Sequence, residues 1–352
     1  MVSTTTTTSE SGGFDPAGAG ALRVRARAVR RSPSLRMIGR RLLLAIPVIW
    51  GTTFLTFCLM NLLPGTAASA LLGASATPQS IAALNVKLGL NEPFPTRYLD
   101  WLGNALHGNL GTSLATGQPV TSLVLSRLEV SGELIALAFL LALGCAIVVA
   151  TAAARRPGGI ADWISVVVST AGLSVPSFVV ALALVLVFAV KLKVVPPLGF
   201  VPISANLGWN LRTLILPAVT LAVGIFAVFN RLLRADLIDQ LQTEDYVTTA
   251  RAKGASPWRV LIRHALRNSL FGLLTVAGLQ IGALFGTTVV VEQVFSIPGV
   301  GQQLLSAISN EDVPVVEGIV ALIATITVLA NLTADLLYAV LDPRIRHDSA
   351  SS

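Results

Sequence analysis

The sequence predicts an all-α membrane protein with six transmembrane helices. Three observations carry that reading. First, 53% of the 352 residues are hydrophobic and only 12% are charged, about half the charged share of a soluble domain. Too little polar surface remains to cover so much apolar chain in water. Second, the apolar residues fall into six long runs separated by polar, Gly- and Pro-bearing segments. Third, the runs are continuous and lack period-2 alternation, so helices are expected and not a barrel. The mean hydropathy of +0.75 agrees.

The six runs are residues 42–63, 134–154, 164–190, 214–229, 270–291 and about 318–341. A hydrocarbon core of about 30 Å needs about 20 helical residues. Five runs meet or approach that length. The fourth does so once its flanks are included, with Arg212 and Arg231 snorkelling to the interfaces. The first run is much longer than the ~7–15 residues of a signal-peptide core, and five more follow it, so it is expected to stay as a span. The third run is interrupted by Ser174, Pro176 and Ser177, which predicts a kink or a local unwinding that either lines a pathway or merely packs.

Orientation follows from the Lys/Arg bias. With the N-terminus inside, segments 1–41, 155–156, 231–267 and 344–346 hold 8, 2, 7 and 2 of the 25 Lys/Arg residues, and the outer segments hold the other 6. Both termini are therefore expected in the cytoplasm. The expected organisation is a basic, disordered tail over 1–36, a first span over 37–63, an external loop region over 64–130, a core over 131–341 and a cytoplasmic tail over 342–352. The tail's arginines, Arg23 to Arg36, fit a topology-fixing flank or contact with anionic lipid heads.

The net charge of +7 does not indicate nucleic acid, because the basic residues lie between apolar runs and form no single face. The two cysteines, Cys58 and Cys145, sit inside apolar runs and form no CxxC. His107, His264 and His347 are far apart, so no metal cluster, cofactor or catalytic set is expected. No Gly-Lys pair of a phosphate loop occurs, so the chain is not expected to hydrolyse ATP itself.

The internal segment 232–267 carries helix punctuation of its own. Thr243 can cap a helix, with Glu244 and Asp245 in the first turn and Arg251 and Lys253 in the last. Tyr246, Val247, Thr249 and Ala250 continue it. Gly254 supplies the left-handed position that ends it, and Ser256 and Pro257 repeat the start signal before Trp258. A two-helix elbow of this kind, over 243–258, is either a structured connector or a docking element that enters a partner's groove.

Asp245-Tyr246-Val247-Thr248-Thr249-Ala250-Arg251-Ala252-Lys253-Gly254-Ala255-Ser256, followed by His264-Ala265-Leu266-Arg267-Asn268, closely resembles the "EAA" loop of ABC importer permeases, in particular the dipeptide/oligopeptide/nickel branch. Three further stretches resemble that branch: Glu292-Gln293-Val294-Phe295-Ser296-Ile297-Pro298-Gly299-Val300-Gly301; 335–346, from Asp335 to Arg346; and Leu62-Leu63-Pro64-Gly65 with Gly108-Asn109-Leu110-Gly111. Thr248, Thr249 and Ala250 replace the general Glu-Ala-Ala, as is usual in the peptide branch. Gly272 stands where a proline is common. The resemblance covers about residues 37–346.

The resemblance implies a type I ABC importer permease fold in a bacterial inner membrane, without a bound cofactor. It implies a homologous second permease subunit, two ABC ATPase subunits or one fused pair, and an external substrate-binding protein. The elbow would be the coupling helix seated on the ATPase, and the cargo a di- or oligopeptide, a nickel chelate or another small solute. An ion-coupled secondary transporter or an intramembrane enzyme would need ionisable residues or a metal site mid-span, and the spans carry almost none.

Two smaller features complete the list. Gly278, Gly282 and Gly286 recur every four residues on the fifth run and permit close helix approach, within the chain or across a permease–permease contact. Glu292, at the outer end of that run, either reaches water or serves in a pathway or gate; Pro176 and Ser177 are the other candidates for a pathway or gate.

Overall fold

A computed structural model describes residues 33–62, 68, 72, 76–87 and 89–341. Residues 1–32 of the basic tail read over 1–36, the Leu63-Pro64-Gly65 turn and the whole of the tail read over 342–352 lie outside the described residues, as does the side chain of Asp335. Twelve α-helices are described: α1 Pro33–Leu62, α2 Pro78–Lys87, α3 Phe94–Leu106, α4 Val120–Ala154, α5 Ile160–Ser174, α6 Ser177–Leu184, α7 Leu207–Thr243, α8 Asp245–Ala252, α9 Pro257–Arg259, α10 Arg267–Phe295, α11 Val300–Ser309 and α12 Val313–Leu341. Two π-helical stretches, Val185–Lys191 and Val260–Leu266, prolong α6 and join α9 to α10. No strand occurs among the described residues; Thr112 and Pro119 form one isolated bridge.

Five helices are long and apolar enough to cross a bilayer, and the bent pair α5–α6 meets the same test when its two halves are taken together, which makes up to six spans. The bend is 106°. Val175 is extended, and Pro176 occupies the N-cap of α6, where its missing N–H costs no helical bond. The long third run is thus two half-helices.

The core is built on α4 and α7. Ala138, Ala142, Ala146 and Ala150 are essentially inaccessible and follow one stripe of α4. Such small residues let Leu214, Ala218, Leu221 and Ile225 of α7 approach closely. Phe139 of α4 meets Phe229 of α7 edge to face at 5.6 Å. This alanine ladder is written in the sequence as plainly as the glycine repeat, but alanine is so common in spans that its period attracts no attention.

Helix α1 lies at the periphery, with Leu43, Ile46, Leu55 and Leu59 exposed. It is held by α3: the Tyr98 hydroxyl is 2.9 Å from Thr53 Oγ1 and donates to the Trp50 carbonyl at 3.2 Å. Phe54, Phe57, Phe94 and Tyr98 pack as an aromatic group around those bonds. A polar tie therefore fixes the peripheral helix where apolar contact with lipid tails gives no preference.

Two boundaries differ from those read in the sequence. Helix α4 begins at Val120, so its first turns occupy the end of the segment assigned to the external loop. Helix α7 runs unbroken to Thr243, so the internal segment is mostly a helix projecting beyond the apolar run. Hydropathy marks where a helix leaves lipid and not where it ends; Leu, Ala, Arg and Gln are good helix formers in either solvent.

Candidate functional site

At one end of the bundle, α7, α8 and α9 form the elbow. Its geometry corrects one sequence reading: Thr243 is the last residue of α7, and its hydroxyl donates to the Asp239 carbonyl at 2.8 Å. The N-cap position of α8 belongs to Glu244, whose side chain makes no capping bond. Asp245 stands in the first turn, where its charge suits the helix dipole. At the far end, Gly254 has φ +77. Its N–H bonds to the Arg251 carbonyl at 2.9 Å, and the Ala255 N–H bonds to the Ala250 carbonyl at 3.1 Å. These are the paired closures of a Schellman cap. Ser256 then accepts from the Arg259 N–H, with Pro257 at the first helical position. The helix after Ser256 is continuous with α10 through the π-helical stretch, so the second arm of the elbow is the foot of the fifth span.

The elbow has its own small core. Val247, Ala250 and Val260 are buried against Leu241, Tyr246 and Ala255. The Tyr246 hydroxyl donates to Gln240 Oε1, which also accepts from Asn268 Nδ2 at 2.9 Å. That node ties α8, the end of α7 and the start of α10 together. Burial holds the Tyr246 phenol above its ordinary pKa, so it stays a neutral donor. Arg251 Nη2 reaches back to the Leu241 carbonyl at 3.1 Å. The outer face presents Glu244, Asp245, Thr249, Arg251, Gly254, Pro257 and Trp258 to solvent. Arg155, at the end of α4, lies 5.3 Å over the Trp258 ring. An elbow clamped to three helices and open on one side can move as a unit with the spans it joins.

The other sequence-selected residues lie elsewhere. Along α10, a Cβ on Gly278 would run into Ala334 of α12, and one on Gly282 into Thr327. Gly286 has open space around it, so the close α10–α12 seam spans the first two glycines and stops short of the third. A Gly278→Leu variant is therefore expected to destabilise the chain by about 1–3 kcal/mol, whereas Gly286→Ala should leave it unchanged. Thermal melts of the two purified variants in detergent, beside the parent, check this.

Glu292 does not reach water. It is fully buried. Its Oε1 accepts from Ser131 Oγ of α4 at 2.5 Å, and its Oε2 accepts from the Gln302 N–H of α11 at 2.9 Å. Ser131 in turn accepts from the Val300 N–H at 2.8 Å. The turn between α10 and α11, with Ser296 at φ +54, is thus clasped onto α4. A Cβ on Gly299 would overlap the Glu292 carboxylate, and one on Gly301 would meet the Val289 backbone. This explains the spacing of the Glu292–Gly301 motif: the two glycines clear room for the carboxylate and for α10. Beside it, Arg127 Nη1 donates to the Pro298 carbonyl at 3.1 Å.

A second clasp escaped the sequence. Asp312, between α11 and α12, accepts from Ser113 Oγ at 2.5 Å and from the Leu114 and Ala115 N–H groups at 3.0 and 3.3 Å. It fastens the 107–119 segment to the same end of the bundle. Nothing local in the sequence pairs residues about 200 positions apart. Pro176 and Ser177 stand at the α5–α6 bend. No group of three or more metal-ligating side chains occurs among the described residues.

A bent multi-span bundle, clasped at one end and carrying a rigid exposed elbow at the other, is the form of a membrane permease subunit and not of a catalytic domain. The chain belongs to the family of binding-protein-dependent transport system inner membrane components, whose profile matches residues 142–347. The N-terminal profile of such membrane components matches residues 34–134. It is therefore one subunit of a transport complex that includes others. The chain is 39% identical over 309 residues to a probable peptide ABC transporter permease protein of Sinorhizobium fredii, covering 88% of this chain and 98% of that one. It is 40% identical over 334 residues to a di/tripeptide transport system permease protein of Pseudomonas aeruginosa (89% and 99% covered). An oligopeptide transport system permease protein of Bacillus subtilis is 36% identical over 311 residues, at 88% and 98% coverage.

Proposed function

We propose that this chain is one of two homologous permease subunits of an ATP-driven importer that takes up di- and oligopeptides. An external binding protein delivers the cargo. ATP is hydrolysed on two separate ATPase subunits or a fused pair, and residues 243–258 couple their closure to the permease. The observation that carries the reading is the elbow: an exposed helix with its own core, clamped to α7 and α10, so that force on it reaches two spans. Relatives named for peptide transport, matched nearly end to end, support the cargo class. ATP-driven closure would rock the permease pair between inward- and outward-facing arrangements.

The elbow faces the cytoplasm, both termini lie on that side of the inner membrane, and the two clasps face outward. The Lys/Arg distribution supports this orientation. In a strain deleted for this gene, uptake of labelled di- and tripeptides is expected to fall to background and to return with the gene. The purified chain is expected to retain ATPase subunits on a pull-down. Unchanged peptide uptake in the deletion strain, with loss of nickel or another solute instead, would reassign the cargo. A chain that transports without any ATPase would refute the scheme.

A further inference from the structure

Between α5 and the inner part of α7 lies a cleft of about 500 Å³, where hydroxyl, amide and guanidinium side chains stand among apolar surface that includes Val166 and Leu173. Its floor is a polar seam. Asn230 is wholly buried, and its Nδ2 donates to Ser165 Oγ at 2.8 Å and Ser169 Oγ at 2.6 Å. Asp162, held by the Gly158 N–H at 2.8 Å, pairs with Arg234. Those bonds join α5 to α7 and account for the seam as helix packing.

Three groups are left over by that account. Asn230 Oδ1 is buried with no partner. Thr170 and Ser174 line the cleft, but their hydroxyl protons go to carbonyls of α5 itself, at 2.8 Å each, and contribute nothing to the seam. Arg231 lines the cleft one turn before Arg234 and, among the described residues, has no ion-pair or hydrogen-bond partner. The polar lining of α5 extends from Ser165 to Ser174, at the Pro176 bend. That is about 14 Å of helix at 1.5 Å per residue, close to half the depth of a hydrocarbon core. An arginine at the interface can snorkel to a lipid headgroup, but polar groups continuing that far inward belong beside a water-filled cavity.

We propose that this cleft is the water-filled inner half of the solute route, and that Arg231 draws the carboxylate end of a peptide through it. The inference rests on the peptide-importer reading and deepens it. Arg231 supplies the unpaired cation, Asn230 Oδ1 an acceptor for a peptide N–H or for water, and the Thr170 and Ser174 oxygens further acceptors along the bend.

The test uses the assembled transport complex with Cys58 and Cys145 replaced and a single cysteine at position 170 or 174 (Thr170→Cys, Ser174→Cys). Both thiols are expected to react with charged methanethiosulfonate reagents. The anionic sulfonatoethyl reagent should lead the cationic trimethylammonium one by about fivefold, as a local positive potential concentrates anions. Arg231→Gln should abolish that preference and Arg231→Lys should keep it. Trialanine should slow labelling more than trialanine amide does.

Reaction with an uncharged, membrane-permeant maleimide alone would mean a lipid-covered groove and would overturn the proposal, as would a preference unchanged in Arg231→Gln. So would equal protection by the two peptides. Labelling needs no transport, so a complex that labels as expected but imports no peptide would refute the cargo reading and leave the vestibule standing.

Discussion

Replacing Gly254 by Asp is expected to leave the chain in the membrane at normal level while lowering peptide uptake by more than tenfold. Nothing lies within 4 Å of where a Cβ would sit on Gly254, so the side chain meets no obstacle inside this chain. What it meets is the backbone: at φ +77 an L-residue pays about 1–2 kcal/mol, less for Asp or Asn. That strain shifts the Schellman cap, and with it the angle between α8 and the foot of α10, without unfolding spans that hold dozens of buried residues. Uptake by cells, paired with immunoblots of the membrane fraction, measures both halves of the result. Gly254→Asn separates two causes. It tolerates the left-handed conformation as Asp does but carries no charge, so if it also loses transport, the empty space at Gly254 is needed by a docked partner; if it transports, the negative charge is what the docked surface rejects. Normal uptake by Gly254→Asp would count strongly against the elbow as the coupling element.

The larger structural loss is expected at the opposite pole. Glu292→Ala removes both acceptors of the clasp and leaves the Ser131 hydroxyl and the Gln302 N–H buried or half-buried without partners. Each orphaned group costs about 1–3 kcal/mol, so a total of about 2–6 kcal/mol and a fall of about 3–8 °C in melting temperature are expected for a chain of this size. Gly301→Ala should do at least as much harm, because its Cβ would press on the Val289 backbone, 2.5 Å from Cα and 2.9 Å from N, and helix α10 cannot yield as a side chain can. The Ser131→Ala/Glu292→Ala pair should cost less than the two single changes together, since both delete the same bond. Melting curves of the four purified variants decide the matter. A Glu292→Ala protein that melts normally but transports poorly would instead place the carboxylate in a gate.

Much of this was legible from the residues alone. The six runs, the broken third span, the Gly254 cap and the Ser256–Pro257 restart each depend on residues within a few positions of one another, and local physics settles them. Boundaries were less legible. Thr243 reads as a cap because threonine is a good one, yet α7 carries on through it, since nothing in the charged stretch before it stops a helix. Gly286 reads as the third member of a packing stripe, yet nothing lies within 4 Å of where its Cβ would sit; a period says which face is small and not how far a neighbour follows it.

The sequence by itself determined that this is a multi-span membrane chain with a capped elbow, because hydropathy and glycine placement act over short ranges and in every fold alike. Only the tertiary structure decided that Glu292 is a buried clasp, that Asp312 fastens the 107–119 segment, and that Asn230 and Arg231 border a polar cleft. Those roles come from pairs such as Ser131 with Glu292 and Asp162 with Arg234, far apart along the chain. The chain must fold before their charges and hydroxyls have anything to meet.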